Sequence, residues 1–567
     1  MDPEETSTRW TGKDSRPTTQ KELWGWYSCG LAAEVFAVCG VGSFLPVTLE
    51  QLARENGVLL SDKKTPCVQF NTALQTRGLA RRDDNQCVIS VLGHEVNSSS
   101  FALYSFSLAI LVQTLVLISI GAIADYGGNR KKLFLAFNYM GATASMLYIL
   151  VFPAIYLFGV LLTIIAVASL GSVFVLLNSF LPLLVATHPS ISNDHDGSDI
   201  PLDPLTFDND NEDVNDDSAS NGLLQNRIGF NKYKEPGAVS PALQLSNQIS
   251  SKGVGIGYAA AVFVQILSIG IILLYNKFST AATTQTWPMR TVLFIVGLWW
   301  ACFTFPTAWW LHRRPGPPLP SQTVSRSGIR GGITYIIFAW SSLWQTMKIA
   351  MQLRQVVLFL IAWFVLSDGI ATISGTAILF ARTELDLGTA GVAVLSITAT
   401  ASGILGAFYW PKIGKRYNLN SISVVIACVI IYEIVPLYGL AGFLPFLQNL
   451  GVGGLQQWWE LYPLGFILGF VMGGISSYCR SIYGALIPPG MEASFYALYA
   501  VTDKGSSVIG PAIVGRIIDA TGSVRMGFWF LAVVMILPAP LFWLVDVEKG
   551  RIEGIEMASR RGKRRLG

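Results

Sequence analysis

Four ionisable residues sit deep inside long apolar runs of this chain: Glu34, Asp368 and the adjacent Asp503 and Lys504. A charged side chain at the centre of a bilayer costs at least ~2.5 kcal/mol on insertion scales, so each is a candidate functional group. With a helical rise of about 1.5 Å per residue, Glu34 falls roughly 15 Å past Trp24, Asp368 roughly 18 Å past Val356, and Asp503 with Lys504 roughly 12–14 Å past Phe495. A carboxylate accepts from an ammonium group and an ammonium donates to a carboxylate, so Glu34 or Asp368 with Lys504 can hold both ends of a zwitterion. A plainer reading has Asp503 or Asp368 neutralising Lys504 as an inward-facing structural pair. Asn178, Tyr258, Gln265 and Tyr499 are further candidates, although such residues more often serve as hydrogen bonds between helices. Glu433 reads as an interhelix contact, and Arg480 as a residue near the cytosolic end of its span.

A second constellation is the turn GAIADYGGNRKK, residues 121–132. Gly121 and Gly128 permit close helix approach and tight turning, Asp125 sits at a helix end, and Arg130, Lys131 and Lys132 hold the turn in the cytosol. Of these, Gly121, Asp125, Gly128, Arg130 and Lys131 are the expected gate. A partial second copy occurs at GAFYWPKIGKRY, where Gly406, Gly414, Lys415 and Arg416 answer Gly121, Asn129, Arg130 and Lys131, and Trp410 stands in place of Asp125. A degraded repeat of one turn points to two related halves.

The elements that must position these groups follow from composition. The chain is 51% hydrophobic and 13% charged, with a mean hydropathy of +0.47; a soluble protein carries about 25% charge, and a water-exposed fold cannot bury so much apolar sequence. The pattern predicts an all-α membrane protein with about twelve spans, near 24–49, 101–124, 133–152, 156–186, 252–275, 289–311, 355–380, 389–410, 421–446, 460–486, 495–518 and 526–546. Basic residues cluster between alternate spans and at the end of the chain, which points to both termini in the cytosol, against the exception of Arg54, Lys63, Lys64, Arg77, Arg81 and Arg82 in the first non-cytosolic loop. A net charge of +4 without an aromatic and basic strip argues against nucleic acid. Four His and seven Cys, with no C-x-x-C, predict no metal site, and no nucleophile–base arrangement suggests an enzyme.

Three connecting segments carry information. The segment 51–99 contains Cys67, Cys87 and the sequon Asn97-Ser98-Ser99, which suit a lumenal face with a disulfide and a glycan; the alternative is two free thiols and an unused sequon. The segment 187–250 holds ten Asp or Glu and no Lys or Arg between 187 and 217, too polar to fold, and reads as a disordered cytosolic loop. The segment 313–353 opens with Pro315, Pro317, Pro318 and Pro320, divides the spans six and six, and contains an apolar stretch, 335–344, suited to a short interfacial helix. A polar N-terminal tail, 1–23, and a basic C-terminal tail, 547–567, complete the chain.

The turn at 121–132 resembles the signature between the second and third helices of the major facilitator superfamily, with Asn129 in place of its first basic residue. The stretches GWYSCGLAAEVFAVCGVGSFLPVTLEQLA, SSSFALYSFSLAILVQTLVLISIGAIADYGG, ISSKGVGIGYAAAVF and FYALYAVTDKGSSVIGPAIVGRIIDATGSVRMGFWF resemble the fungal autophagy-related protein 22 family. The resemblance covers nearly all the membrane portion. It implies a vacuolar membrane permease that returns amino acids from autophagic breakdown to the cytosol, sustaining protein synthesis during nitrogen starvation. On that expectation the partners are small-molecule amino acids and the lipid bilayer, the chain is a monomer, and no cofactor is needed. Proton coupling through Glu34 or Asp368 and facilitated diffusion both fit. A membrane scaffold recruiting trafficking partners, or a permease for a sugar or lipid, is the alternative.

Overall fold

The computed structural model describes residues 16–59, 65–67, 87–91, 94–191, 240–278, 286–316 and 329–566, save Asp386, Gly388, Val508 and Gly522. The N-terminal half runs α1 (Gln20–Val35), a π-helical segment (Phe36–Phe44), α2 (Leu45–Glu55), strands β1 (Val58–Leu59), β2 (Cys87–Val91) and β3 (His94–Asn97), then α3 (Ser98–Ala124), α4 (Asn129–Leu147), α5 (Tyr156–Ala186), α6 (Pro241–Phe278) and α7 (Trp287–Trp310). A long helix, α8 (Ile329–Gln352), leads to the second half. That half contains α9 (Arg354–Thr383), α10 (Thr389–Arg416), α11 (Ser421–Tyr432), α12 (Ile434–Ala441), α13 (Pro445–Leu450), α14 (Leu461–Leu486), α15 (Glu492–Ser506), α16 (Ile509–Thr521), α17 (Gly527–Ile536), α18 (Pro538–Trp543) and α19 (Val547–Leu566).

Two apolar cores form, one drawn mainly from α1–α7 and one from α9–α18. Within the second, α10 and α14 approach so closely that a Cβ at Gly406 would strike the Phe470 carbonyl oxygen, and one at Gly469 the Ala399 carbonyl oxygen. Small residues repeated every four positions make that approach possible. Replacing Gly469 with Leu should therefore destabilise the chain by about 1–3 kcal/mol or more, because the obstacle is rigid backbone. The measurement is thermal unfolding in detergent; an unchanged midpoint would refute the close approach. The halves meet where α3 and α5 pack on α15 and where α6 packs on α10 and α14. Along α6 the seam is pinned by Asn247 Nδ2 donating to Ser421 Oγ at 2.7 Å, Ser250 Oγ to the Ser477 carbonyl at 2.8 Å and Gln265 Nε2 to Ser396 Oγ at 3.3 Å.

Several expected boundaries change. Eleven stretches among the described residues are long and apolar enough to cross a bilayer. The expected span 495–518 is instead two helices, α15 and α16, with Gly510 and Pro511 in the first turn of the second, where the missing N–H of proline costs no hydrogen bond. The expected loop 187–250 ends earlier, since Ser240 Oγ accepts from Leu243 N at 3.3 Å and Pro241 opens α6; residues 192–239 lie outside the described residues. The linker forms the whole of α8, and the C-terminal tail forms α19.

In the segment 51–99, β1, β2 and β3 form a small antiparallel sheet in that order, with Val88 paired to Asn97. A disulfide joins Cys67 to Cys87, Cα–Cα 6.1 Å. Asn97 ends β3 immediately before α3. At the opposite end of the N-terminal half, the Arg314 guanidinium makes a fork with the fully buried Glu22, 3.1 and 2.8 Å, which satisfies a carboxylate removed from water.

Candidate functional site

Three buried charges close one end of the seam. Arg130 Nη2, at the start of α4, donates to Asp125 Oδ1 at 2.8 Å and to Glu492 Oε2 at 2.9 Å, and all three residues are buried. Asp125 in turn accepts Ala493 N at 2.8 Å, Ser494 N at 2.8 Å and Ser494 Oγ at 2.6 Å. A carboxylate from one half thus caps the N-terminus of α15 in the other, where orphan N–H groups and the helix dipole favour an anion. Burial raises the Asp125 carboxyl to about 6, opposed first by the Arg130 charge. Gly121 allows the approach: a Cβ there would stand 2.6 Å from Ala497 Cβ.

The other expected gate residues divide. Gly127, not Gly128, takes the left-handed turn, with φ +56°. Gly128 has an ordinary φ of −93° and open space for a Cβ, so the turn does not need glycine there. Lys131 Nζ donates to the Ala308 and Leu311 carbonyls at 2.7 and 2.5 Å; it caps α7 within its own half. At the repeated turn, α10 runs on as helix through Lys415 and Arg416, and the Trp410 indole donates to the Phe470 carbonyl at 3.2 Å. Among the described residues no second latch forms there.

Deeper in the seam a buried cation replaces the expected one. Arg480, on α14, donates to Asn178 Oδ1 of α5 at 3.2 Å and lies 5.9 Å over the Trp26 ring of α1. Glu34 of α1 and Tyr258 of α6 lie within its electrostatic reach. Glu34 packs against Gly257, where a Cβ would stand 2.5 Å from its Cγ. Glu34 and Arg480 form no direct ion pair among the described residues. Tyr496 donates to the Arg480 carbonyl at 2.8 Å, and Tyr499 stacks on Trp363 at 4.7 Å and on Tyr483 at 5.1 Å, forming an aromatic wall beside the charges.

The profile described as "Vacuole effluxer Atg22 like" matches residues 18–555. The chain belongs to the Atg22 family. Autophagy-related protein 22 of Botryotinia fuckeliana is 54% identical over 564 residues, covering 97% of this chain and 93% of that protein. Autophagy-related protein 22-2 of Aspergillus fumigatus is 53% identical over 568 residues, covering 97% and 92%. Two solved structures share the fold at low identity. One is a bacterial homologue of the iron transporter ferroportin in an outward-facing state with soaked iron (TM-score 0.53, 11% identity, 92% of this chain and 98% of that one). The other is a variant of the E. coli fucose:proton symporter FucP (TM-score 0.53, 12% identity, 93% and 100%). The fold is that of major facilitator transporters, and this Atg22-family chain is a multi-pass vacuolar membrane transporter, not an enzyme.

Within this family member the pairing of Lys504 with Glu34 or Asp368 does not form. Lys504 Nζ is 3.0 Å from Asp503 Oδ2, and both are partly exposed. Asp368 is buried but accepts Gly510 N at 2.9 Å; it caps α16 at the break, where a free helix N-terminus needs an acceptor. Asp503 Oδ1 accepts Ser367 Oγ at 2.5 Å. Gln265 is spent on Ser396, and Glu433 is buried with Oε2 unpartnered among the described residues. Sequence reasoning missed Glu492 and undervalued Arg480. Glu492 carried one signal, an acidic residue opening a helix just after Pro488-Pro489-Gly490.

Proposed function

We propose that this chain exports amino acids from the vacuole to the cytosol by alternating access of its two halves about Glu34 and Arg480. The observation that carries this reading is the pair itself: a carboxylate from α1 and a guanidinium from α14, in one another's electrostatic reach across the seam. A free amino acid presents an ammonium for the first and a carboxylate for the second, and a guanidinium matches a carboxylate fork to fork. Asn178 steadies the Arg480 head, and the Trp363–Tyr499–Tyr483 wall offers apolar area for side chains. The family description as an effluxer supports the direction of flux. In this reading the Asp125–Arg130–Glu492 latch faces the cytosol, both termini lie there, and the segment with the disulfide and Asn97 lies in the lumen. One copy of the chain suffices, and Glu34 is the group available to carry a proton.

The test is flux through the purified full chain in vesicles loaded with labelled amino acids, each of the twenty in turn. Saturable efflux of at least one, competed by unlabelled amino acids but not by sugars, is expected. Absence of flux for all twenty would overturn the reading. An efflux rate indifferent to an imposed pH gradient would assign facilitated diffusion rather than proton coupling.

A further inference from the structure

We infer that α8, the helix joining the two halves, is a lipid-sensing brace that lies in the headgroup layer of an anionic leaflet across the latch seam. Its burial is two-faced: Thr346 and Ala350, with the following Leu353, point inward and are buried. On the opposite stripe Trp340, Trp344, Lys348 and Met351 point outward, with Trp344 63% and Met351 67% exposed. The Lys348 ammonium sits 5.7 Å over the Trp344 ring. An outward stripe of two tryptophans, a methionine and a lysine is costly in water and suited to the polar–apolar boundary of a bilayer, where tryptophan and lysine concentrate. Continuity with the membrane supports that occupant, because membrane-spanning α7 and α9 flank α8.

Charge selects the lipid. Residues 313–367 contain six Lys and Arg and no Asp or Glu; Arg314 is spent on Glu22, but Lys348 and Arg354 are exposed, so the segment is attracted to an anionic surface by about 1 kcal/mol for each such basic group near it. Position gives the contact a consequence. Thirteen residues before Ile329 opens α8, Gly316 N donates to the Gly127 carbonyl at 2.8 Å, and a Cβ at Gly316 would collide with the Asp125 carbonyl oxygen, so the start of the linker is tied to the latch turn. The helix then packs on α3 of one half and on α9 and α15 of the other. A headgroup layer that holds α8 therefore holds the α3–α15 contact closed.

The experiment uses the full chain in vesicles of phosphatidylcholine, with and without about 30% phosphatidylserine, the added charge being the variable. The native chain should melt roughly 3–5 °C higher in the anionic vesicles, and K348E/R354E, both exposed positions, should lose that increment while matching the native chain in phosphatidylcholine. An increment of equal size in both proteins would overturn the charge assignment. In a separate arm, tryptophan emission is quenched by phosphatidylcholine brominated near the headgroup or near the acyl end. W340F/W344F should remove a component quenched by shallow bromine only. If that component is absent, and the two tryptophans are quenched by aqueous iodide instead, α8 lies in water and the proposal fails. Neither readout depends on transport, so a failure here is separable from a failure of the transport reading.

Discussion

Replacing Asp125 with Asn should accelerate hydrogen exchange of the Ala493 and Ser494 amides by about 100-fold or more while leaving the helical content unchanged. Both amides donate to the Asp125 carboxylate, which also holds Arg130, and the site is shut off from water. Removing one member of a buried pair costs ~3–5 kcal/mol, and each 1.4 kcal/mol is a factor of ten in population. The local opening that exposes these amides becomes correspondingly more frequent. Net flux should fall at least about 10-fold, because an alternating mechanism needs the closed state on the latch face to be well populated. Lys131→Ala is the control: its ammonium binds the Ala308 and Leu311 carbonyls at the end of α7, so protection at α15 should stay native. Native protection in the Asp125 variant would mean that the latch does not hold the halves together.

The second large effect is expected at Arg480. Arg480→Lys keeps the charge but loses the planar fork, and the fork is what a carboxylate uses. Loss of a charge-assisted hydrogen bond of ~1.5–3 kcal/mol should raise the KM for amino-acid efflux about 10- to 150-fold. Glu34→Gln should do the same from the ammonium end. Lys504→Ala should change KM by less than about 3-fold, since Lys504 is a partly exposed group paired with its own neighbour and such pairs are worth little. Efflux kinetics at matched protein levels decide between them. Transport lost in the Lys504 variant and kept in the Arg480 variant would reverse the assignment.

The apolar runs, their number to within one, the division into halves and the position of the latch turn are legible in the chain itself. Hydrophobic length and the cost of charge in a bilayer are properties of local sequence, so Glu34, Asp125 and Arg130 announce themselves wherever the helices finally pack. The split of the expected span 495–518 also has a local signal in the chain, Gly510-Pro511, a backbone constraint.

Partners across the seam are a different matter. That Asp125 caps α15 and Arg130 binds Glu492, some 360 residues away, depends on how two bundles dock, and no periodicity carries that. The same holds for the exchange of Lys504 for Arg480 as the cation near Glu34: depth along a helix is one-dimensional, and the face each helix turns inward is set by the packing of its neighbours. A rise of about 1.5 Å per residue locates a charge along the membrane normal, whereas small-residue contacts between helices fix their rotation about it. Residue type therefore picked out candidate charges in this protein, and only the docking of the two halves decided which of them meet.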